Sequence, residues 1–122
     1  MPPLLYAFLL QLINGFSNLF FGWGGEDDDL YYRTVKKGLK VTRYPMKIAR
    51  YTMLKHVKDK PNPERFKYLK EGTKRMADDG INKLTYRLLG TERHKLFTKI
   101  LVSIDEKAVK AATQIRRRGR KA

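Results

Sequence analysis

The chain has 122 residues, with 27 lysines and arginines against 12 acids, a net charge of +15 and no cysteine. That length allows one domain with a modest core. A hydrophobic content of 42% with 11% aromatics excludes wholesale disorder, and the absence of thiols excludes disulfides and thiolate metal sites.

The charge is placed unevenly: residues 1–29 carry four acids and no base, whereas residues 30–122 carry 27 bases and 8 acids. A field of that sign draws phosphate-bearing partners, whether nucleic acid, anionic lipid or a nucleotide sugar. Along the chain, the opening "PPLLYAFLL" is apolar but too short for a membrane span of about 20 residues. Gln11, Asn14, Ser17 and Asn18 interrupt it. It also lacks the basic start and small-residue cleavage site of a secretory signal. Leu4 to Ile13 reads as a buried helix, with an interfacial anchor as the second reading.

"EDDDLYYRTVKKG" places acids in a first helical turn, Lys36 and Lys37 in the last, and Gly38 where a left-handed cap would sit. Helix-start chemistry accounts for one or two of the acids; four in a row behind "GWGG" exceed what a dipole needs. Next, "LKVTR" and "MKIARYTML" read as short strands either side of Tyr44-Pro45, followed by a loop with Pro61, Asn62 and Pro63. From Glu64 to Ala77 a helix is expected, with Phe66, Leu69, Thr73 and Met76 on one face, Gly72 weakening its middle, and Gly80 ending it. "KLTYRLL" and "KLFTKILVSI" read as half-buried strands joined by "GTERH" as a hairpin loop. A last helix from Glu106 to about Ile115 runs into "RRRGRK", a solvated basic end. No internal repeat is present.

The chemistry concentrates at Gly22 to Asp29. Glycines flanking a tryptophan let the backbone reverse and the ring lie against a ligand face, while adjacent carboxylates supply acceptors and a general base. A pyranose uses both, with an apolar face for indole and a rim of hydroxyls for carboxylates. Met53 and His56, three residues apart, could reach one metal ion, though such a pair more commonly consists of packing and surface residues.

The run "NGFSNLFFGWGGEDDD" resembles the acceptor-binding and catalytic segment of the β-1,4-galactosyltransferases, including the similar invertebrate β-1,4-N-acetylgalactosaminyltransferases. "RYPMKIARYTMLKH", "KPNPERF", "DDGINKLTY" and "KLFTKILVSI" follow in the family's order, so the resemblance covers about Gln11 to Ile104. It implies the C-terminal half of an α/β nucleotide-diphospho-sugar glycosyltransferase fold of the GT-A type, with mixed short strands and helices. Three segments follow: an atypical apolar stretch at 1–13, the galactosyltransferase C-terminal domain at 14–105, and a short helix with basic tail at 106–122.

What the family implies falls on particular residues. Trp23 resembles the tryptophan of a short mobile loop that contacts both sugars, with Gly22 and Gly24 as hinges. Glu26, Asp27 and Asp28 resemble the acceptor-binding acids, Asp27 standing for the general base at the acceptor 4-hydroxyl. Arg65, Phe66 and Leu69 resemble the pocket for an acceptor's N-acetyl group. Met53 and His56 resemble two manganese ligands, and Leu54 to about Lys70 resembles the long loop that closes over donor and metal. The implied reaction moves galactose or N-acetylgalactosamine from UDP to the 4-hydroxyl of a terminal GlcNAc or glucose, with inversion, on a glycan or glycolipid in the Golgi lumen.

Departures qualify this. The family's nucleotide-binding strands, its Asp-x-Asp metal motif and its donor-selecting residue find no counterpart in this sequence. "MPPLLYAFLL" does not resemble the family's upstream sheet, and the anchor and disulfides are missing. Phe21 replaces a commoner tryptophan. The expectation is a fragment, from a truncated reading frame or a shortened product, inactive alone. Two other readings stand beside it: a non-catalytic sugar-binding domain, and a basic module for nucleic acid or heparin. Nucleic acid is the less expected, because the aromatic and basic interleaving of RNA-binding strands is not seen.

Overall fold

A computed structural model of the protein describes residues 3–119, with side chains for residues 7–113. It holds four helices, α1 (Pro3–Leu12), α2 (Glu26–Lys36), α3 (Arg65–Arg75) and α4 (Glu106–Gly119), a 3₁₀ turn at Ile81–Lys83, and one antiparallel hairpin of β1 (Arg87–Arg93) and β2 (Thr98–Ser103). Mixed helices with a small antiparallel sheet are present, as expected.

Helix α2 begins at the acidic run and ends as expected. The amides of Lys37, Gly38 and Leu39 close onto the carbonyls of Arg33, Thr34 and Val35, with Gly38 at φ 72°. Its buried side is charged rather than apolar. Asp29 and Arg33 are fully enclosed, and with Asp79 they are the largest side chains so buried. Arg33 donates from Nε to Asp29 Oδ2 at 2.7 Å and from Nη1 to the carbonyls of Asp79 at 2.7 Å and Gly15 at 3.2 Å. Arg75 donates from Nε to Asp79 Oδ2 at 2.8 Å and from Nη1 to Tyr68 O at 2.7 Å. Asp79 also accepts from Ser17 Oγ at 2.5 Å and from the Asn18 amide at 2.6 Å. Buried charges persist only when paired and hydrogen-bonded, and these four tie α2, α3 and the 15–18 turn together. Ile13, Leu19, Tyr68, Met76 and Val109 supply the buried apolar part.

Several expectations are corrected. Helix α1 forms, but Phe8 is exposed and Leu9, Leu10 and Leu12 are half-buried; only Ile13, just past its end, is enclosed. The strands expected at 39–43 and 46–54 are not formed. That stretch is irregular and almost wholly exposed, with one turn closed by the Ile48 and Ala49 amides on Pro45 O. Alternating residues make a strand only against a partner, and among the described residues none pairs with them. In α3 the enclosed stripe is Tyr68, Gly72 and Arg75, continued by Met76, so Phe66 points outward at 68% exposure. The hairpin is shifted: Gly90 to Arg93 belong to β1, and the turn is His94–Phe97, closed by the His94 amide on Phe97 O at 2.9 Å with the two rings stacked. The register slips between Leu88 and Gly90, where Leu88 faces Val102 and Gly90 faces Leu101, so that Leu89 has no partner of its own. Helix α4 is capped by Asp105, whose Oδ1 accepts from the Lys107 and Ala108 amides at 2.9 and 3.1 Å. It continues to Gly119, past the expected end near Ile115; the tail from residue 120 lies outside the described residues.

Candidate functional site

Between Phe20 and α2 the chain makes a compact turn through three glycines in the left-handed region, Gly22 at φ 80°, Gly24 at 104° and Gly25 at 97°. Space, as well as dihedral, demands glycine at the last of these. A β-carbon on Gly25 would stand 2.9 Å from Phe20 Cε1 and 3.4 Å from both Arg65 Cβ and Leu69 Cδ1. Trp23 projects from the turn, 58% exposed.

The loop is fastened by Asn62, a residue not singled out by sequence reasoning. Its amide donates to Trp23 O at 2.9 Å, its Nδ2 to Phe21 O at 2.9 Å, and its Oδ1 accepts from the Glu64 amide at 2.9 Å. Trp23 and Pro61 thereby form a one-residue parallel bridge. An asparagine between two prolines was the available signal, since neither proline can donate and the middle residue must make the contacts.

Helix α3 starts directly after this clasp and faces the start of α2. Together they form an open cavity of about 230 Å³ lined by Trp23, Gly24, Gly25, Glu26, Asp27, Asp28, Arg65, Phe66 and Leu69. Arg65 lies over the Phe66 ring, 4.3 Å from its centre. The exposed acids Glu26, Asp27 and Asp28 stand at the helix N-terminus, where the dipole favours carboxylates. Glu26 Oε2 accepts from the Gly24 amide at 3.1 Å and Asp27 Oδ1 from the Asp28 amide at 3.0 Å. Asp29, fourth in the run, faces the ionic core instead, which divides the row into three acids for the cavity and one for the fold. An indole face, three carboxylates and one guanidinium around a small cavity match the needs of a sugar ring.

Met53 and His56 do not line this cavity. Both lie in the exposed 39–60 stretch, Met53 at 85% exposure and His56 with Nδ1 3.0 Å from Val57 O. Among the described residues no three His, Asp or Glu side chains converge on a common point. A thioether and one imidazole are too few and too soft for manganese, which prefers oxygen ligands, so these residues alone do not fit a manganese site. The expected closing loop also divides: 54–60 is irregular, Pro61 and Asn62 are clasped, and Arg65 to Lys70 are helical.

A profile described as the N-terminal domain of galactosyltransferase matches residues 8–57. The chain is 47% identical over 95 residues to β-1,4-galactosyltransferase 2 of Cricetulus griseus, and 44% and 43% identical over 95 residues to β-1,4-galactosyltransferase 1 of Mus musculus and of Homo sapiens. It belongs to the β-1,4-galactosyltransferase family. The matches take in 75% of this chain but 24–26% of those relatives, so the chain spans about a quarter of their length. The family profile names an N-terminal domain, whereas the sequence resemblance implies the C-terminal half of the catalytic domain. No helix among the described residues is long and apolar enough to cross a membrane.

Proposed function

We propose that this chain is the acceptor-side, C-terminal part of a β-1,4-hexosyltransferase of the GT-A type. The observation that carries the reading is the single cavity into which Trp23, Glu26, Asp27, Asp28, Arg65, Phe66 and Leu69 all open. A terminal GlcNAc, or glucose, stacks one ring face on Trp23, while Glu26 and Asp28 accept hydrogen bonds from its hydroxyls. Phe66 and Leu69 shelter the N-acetyl methyl and Arg65 donates toward its carbonyl. Asp27 takes the proton from the 4-hydroxyl as that oxygen attacks the donor's anomeric carbon. The sugar–phosphate bond breaks on the opposite face, giving inversion and a β-1,4 linkage. Gly22 and Gly24 are the hinges about which the tryptophan turn opens for the acceptor, a motion that first parts the Asn62 hydrogen bond to Trp23 O.

The donor, UDP-galactose or UDP-N-acetylgalactosamine, belongs to parts of the family fold that this sequence does not match. Manganese is the proposed cofactor of the complete enzyme, where it would supply Lewis-acid stabilisation of a diphosphate; Met53 and His56 would hold it only together with oxygen ligands from outside this chain. A glycan or glycolipid acceptor and a Golgi setting follow from the same reading.

The test replaces the matching stretch of mouse β-1,4-galactosyltransferase 1 with this segment and compares Asp27→Asn. The amide keeps the shape and loses the base, so kcat should fall by about 10² to 10⁴ with acceptor KM little changed. Near-parental turnover by Asp27→Asn would remove the catalytic assignment.

A nucleic-acid or heparin partner is the second reading, favoured by residues 39–60, where seven bases and one acid lie exposed. It expects steep salt-dependent binding to an oligonucleotide, indifferent to Asp27→Asn.

A further inference from the structure

Helix α4 lies beyond residues 8–57, the stretch matched by the family profile, yet one of its side chains grips both segments that build the cavity. Lys110 Nζ is 2.7 Å from Glu106 Oε1 and 3.4 Å from Glu64 Oε2. It also stands 5.9 Å from the centre of the Phe21 ring and 6.0 Å from that of Tyr68. Phe21 leads into the tryptophan turn and lends its carbonyl to Asn62. Glu64 precedes Arg65 and accepts from the Tyr68 hydroxyl at 2.5 Å, and the Tyr68 ring meets Phe20 edge-on at 5.6 Å. Beside Lys110, Val109 is buried against the groove walled by Phe20, Phe21, Tyr86 and Ile104. An ammonium held by two carboxylates and two ring faces, with its side chain only 24% exposed, is a fixed point and not a solvated surface lysine.

We propose that Lys110 is a positioning residue for the acceptor pocket, holding the Phe20–Trp23 segment and the first turn of α3 at a fixed separation from α4. The sugar-binding consequence rests on the acceptor reading above; the geometric claim does not. Removing the cation takes away the counter-charge that Glu64 and Glu106 share, leaving Glu64 only the exposed Lys67 at 3.6 Å. That loosens the start of α3, and with it Arg65, Phe66 and Leu69.

Trp23 is the only tryptophan in the chain, so its emission reports on the pocket directly. The experiment compares the full chain with Lys110→Met and Lys110→Arg by acrylamide quenching of Trp23, amide exchange across 61–69, and fluorescence titration with chitobiose. Lys110→Met should quench more readily, exchange faster across 61–69 and bind chitobiose about fivefold more weakly, the scale of a partly exposed charge pair. Lys110→Arg should restore all three to within about twofold, because a cation returns to the same place. Far-UV dichroism should be unchanged throughout. Wild-type quenching and exchange in Lys110→Met, or failure of Lys110→Arg to restore them, would overturn the proposal. If the wild-type chain itself ignores chitobiose, the acceptor reading falls, while quenching and exchange still decide the role of Lys110.

Discussion

Gly72 lies against Asp29 so closely that a β-carbon at position 72 would overlap Asp29 Oδ1. That oxygen takes no hydrogen bond, with Arg75 Nη2 at 3.8 Å, and the bare backbone of α3 is what lets the two helices approach. The first prediction follows from this contact. In an ordinary helix interior Gly→Ala stabilises by about 0.5–1 kcal/mol. Here Gly72→Ala should destabilise by about 1–3 kcal/mol, as overpacking does. Thermal denaturation checks the sign, and a raised midpoint would show that the helices can part without cost.

Asp79 carries a larger share. Asp79→Ala removes the acceptor for Arg75, Arg33, Ser17 and the Asn18 amide together, leaving two enclosed guanidinium groups short of a counter-charge. The expected loss is about 3–5 kcal/mol, enough to unfold a domain of marginal stability. Urea titration measures it. A shift of under about 1 kcal/mol would mean that water reaches these charges.

The docking of α4 should depend on pH at both ends of the range. The Glu64 carboxyl is held below its ordinary value, first by the Tyr68 hydroxyl and then by Lys110. A lowered carboxyl contributes stability that is present above the ordinary carboxylate range and lost as pH falls through the folded value. Lys110 is raised, chiefly by its bond to Glu106, and Tyr68 is raised, chiefly by burial. Both of those contributions are complete below the ordinary values and fade as pH rises through the folded ones. Protection of the α4 amides, taken as the intrinsic exchange rate over the observed one at each pH, should therefore be greatest near neutrality and fall in acid and in strong alkali. Tyr68→Phe should blunt the acid limb, and an acid limb unaltered in that variant would contradict the assignment.

Two results are expected of the chain alone. Given UDP-galactose or UDP-N-acetylgalactosamine, manganese and a GlcNAc acceptor, it should transfer nothing above background, because it spans about a quarter of its relatives. Calorimetry should show no tight manganese site, since Met53 and His56 offer only one thioether and one imidazole. Turnover, or tight binding abolished by His56→Ala, would require donors that the described residues do not bring together.

Local signals carried most of the helices and the tryptophan and acid side of the cavity, whereas Arg65, Phe66 and Leu69 were reached only through the family resemblance. Acids before Leu30, bases before Gly38 and glycines around Trp23 each act within a few residues, and such signals survive reading one chain in order. The burial of Asp29 did not show, because its setting depends on Arg75, 46 positions away, and on the absent side chain at Gly72. The enclosed stripe of α3 escaped for a related reason: it is tyrosine, glycine and arginine, which a search for apolar periodicity passes over in favour of Phe66 and Leu69. The strands expected at 39–54 show a further limit, since alternation records what a segment can pair with and says nothing of whether a partner is present.

The hairpin has a practical consequence for anyone handling the chain. Among the described residues β1 and β2 pair only with each other, and Leu88, Leu89, Ile100 and Leu101 on them are more than half exposed. Each strand thus offers an open edge with apolar side chains, a template for further strands from other copies. The charge of +15 opposes such association by mutual repulsion, which salt screens over about 10 Å at 0.1 M. The protein should therefore remain dispersed in dilute buffer and precipitate as sodium chloride is added, the reverse of the salting-in that an almost neutral domain would show.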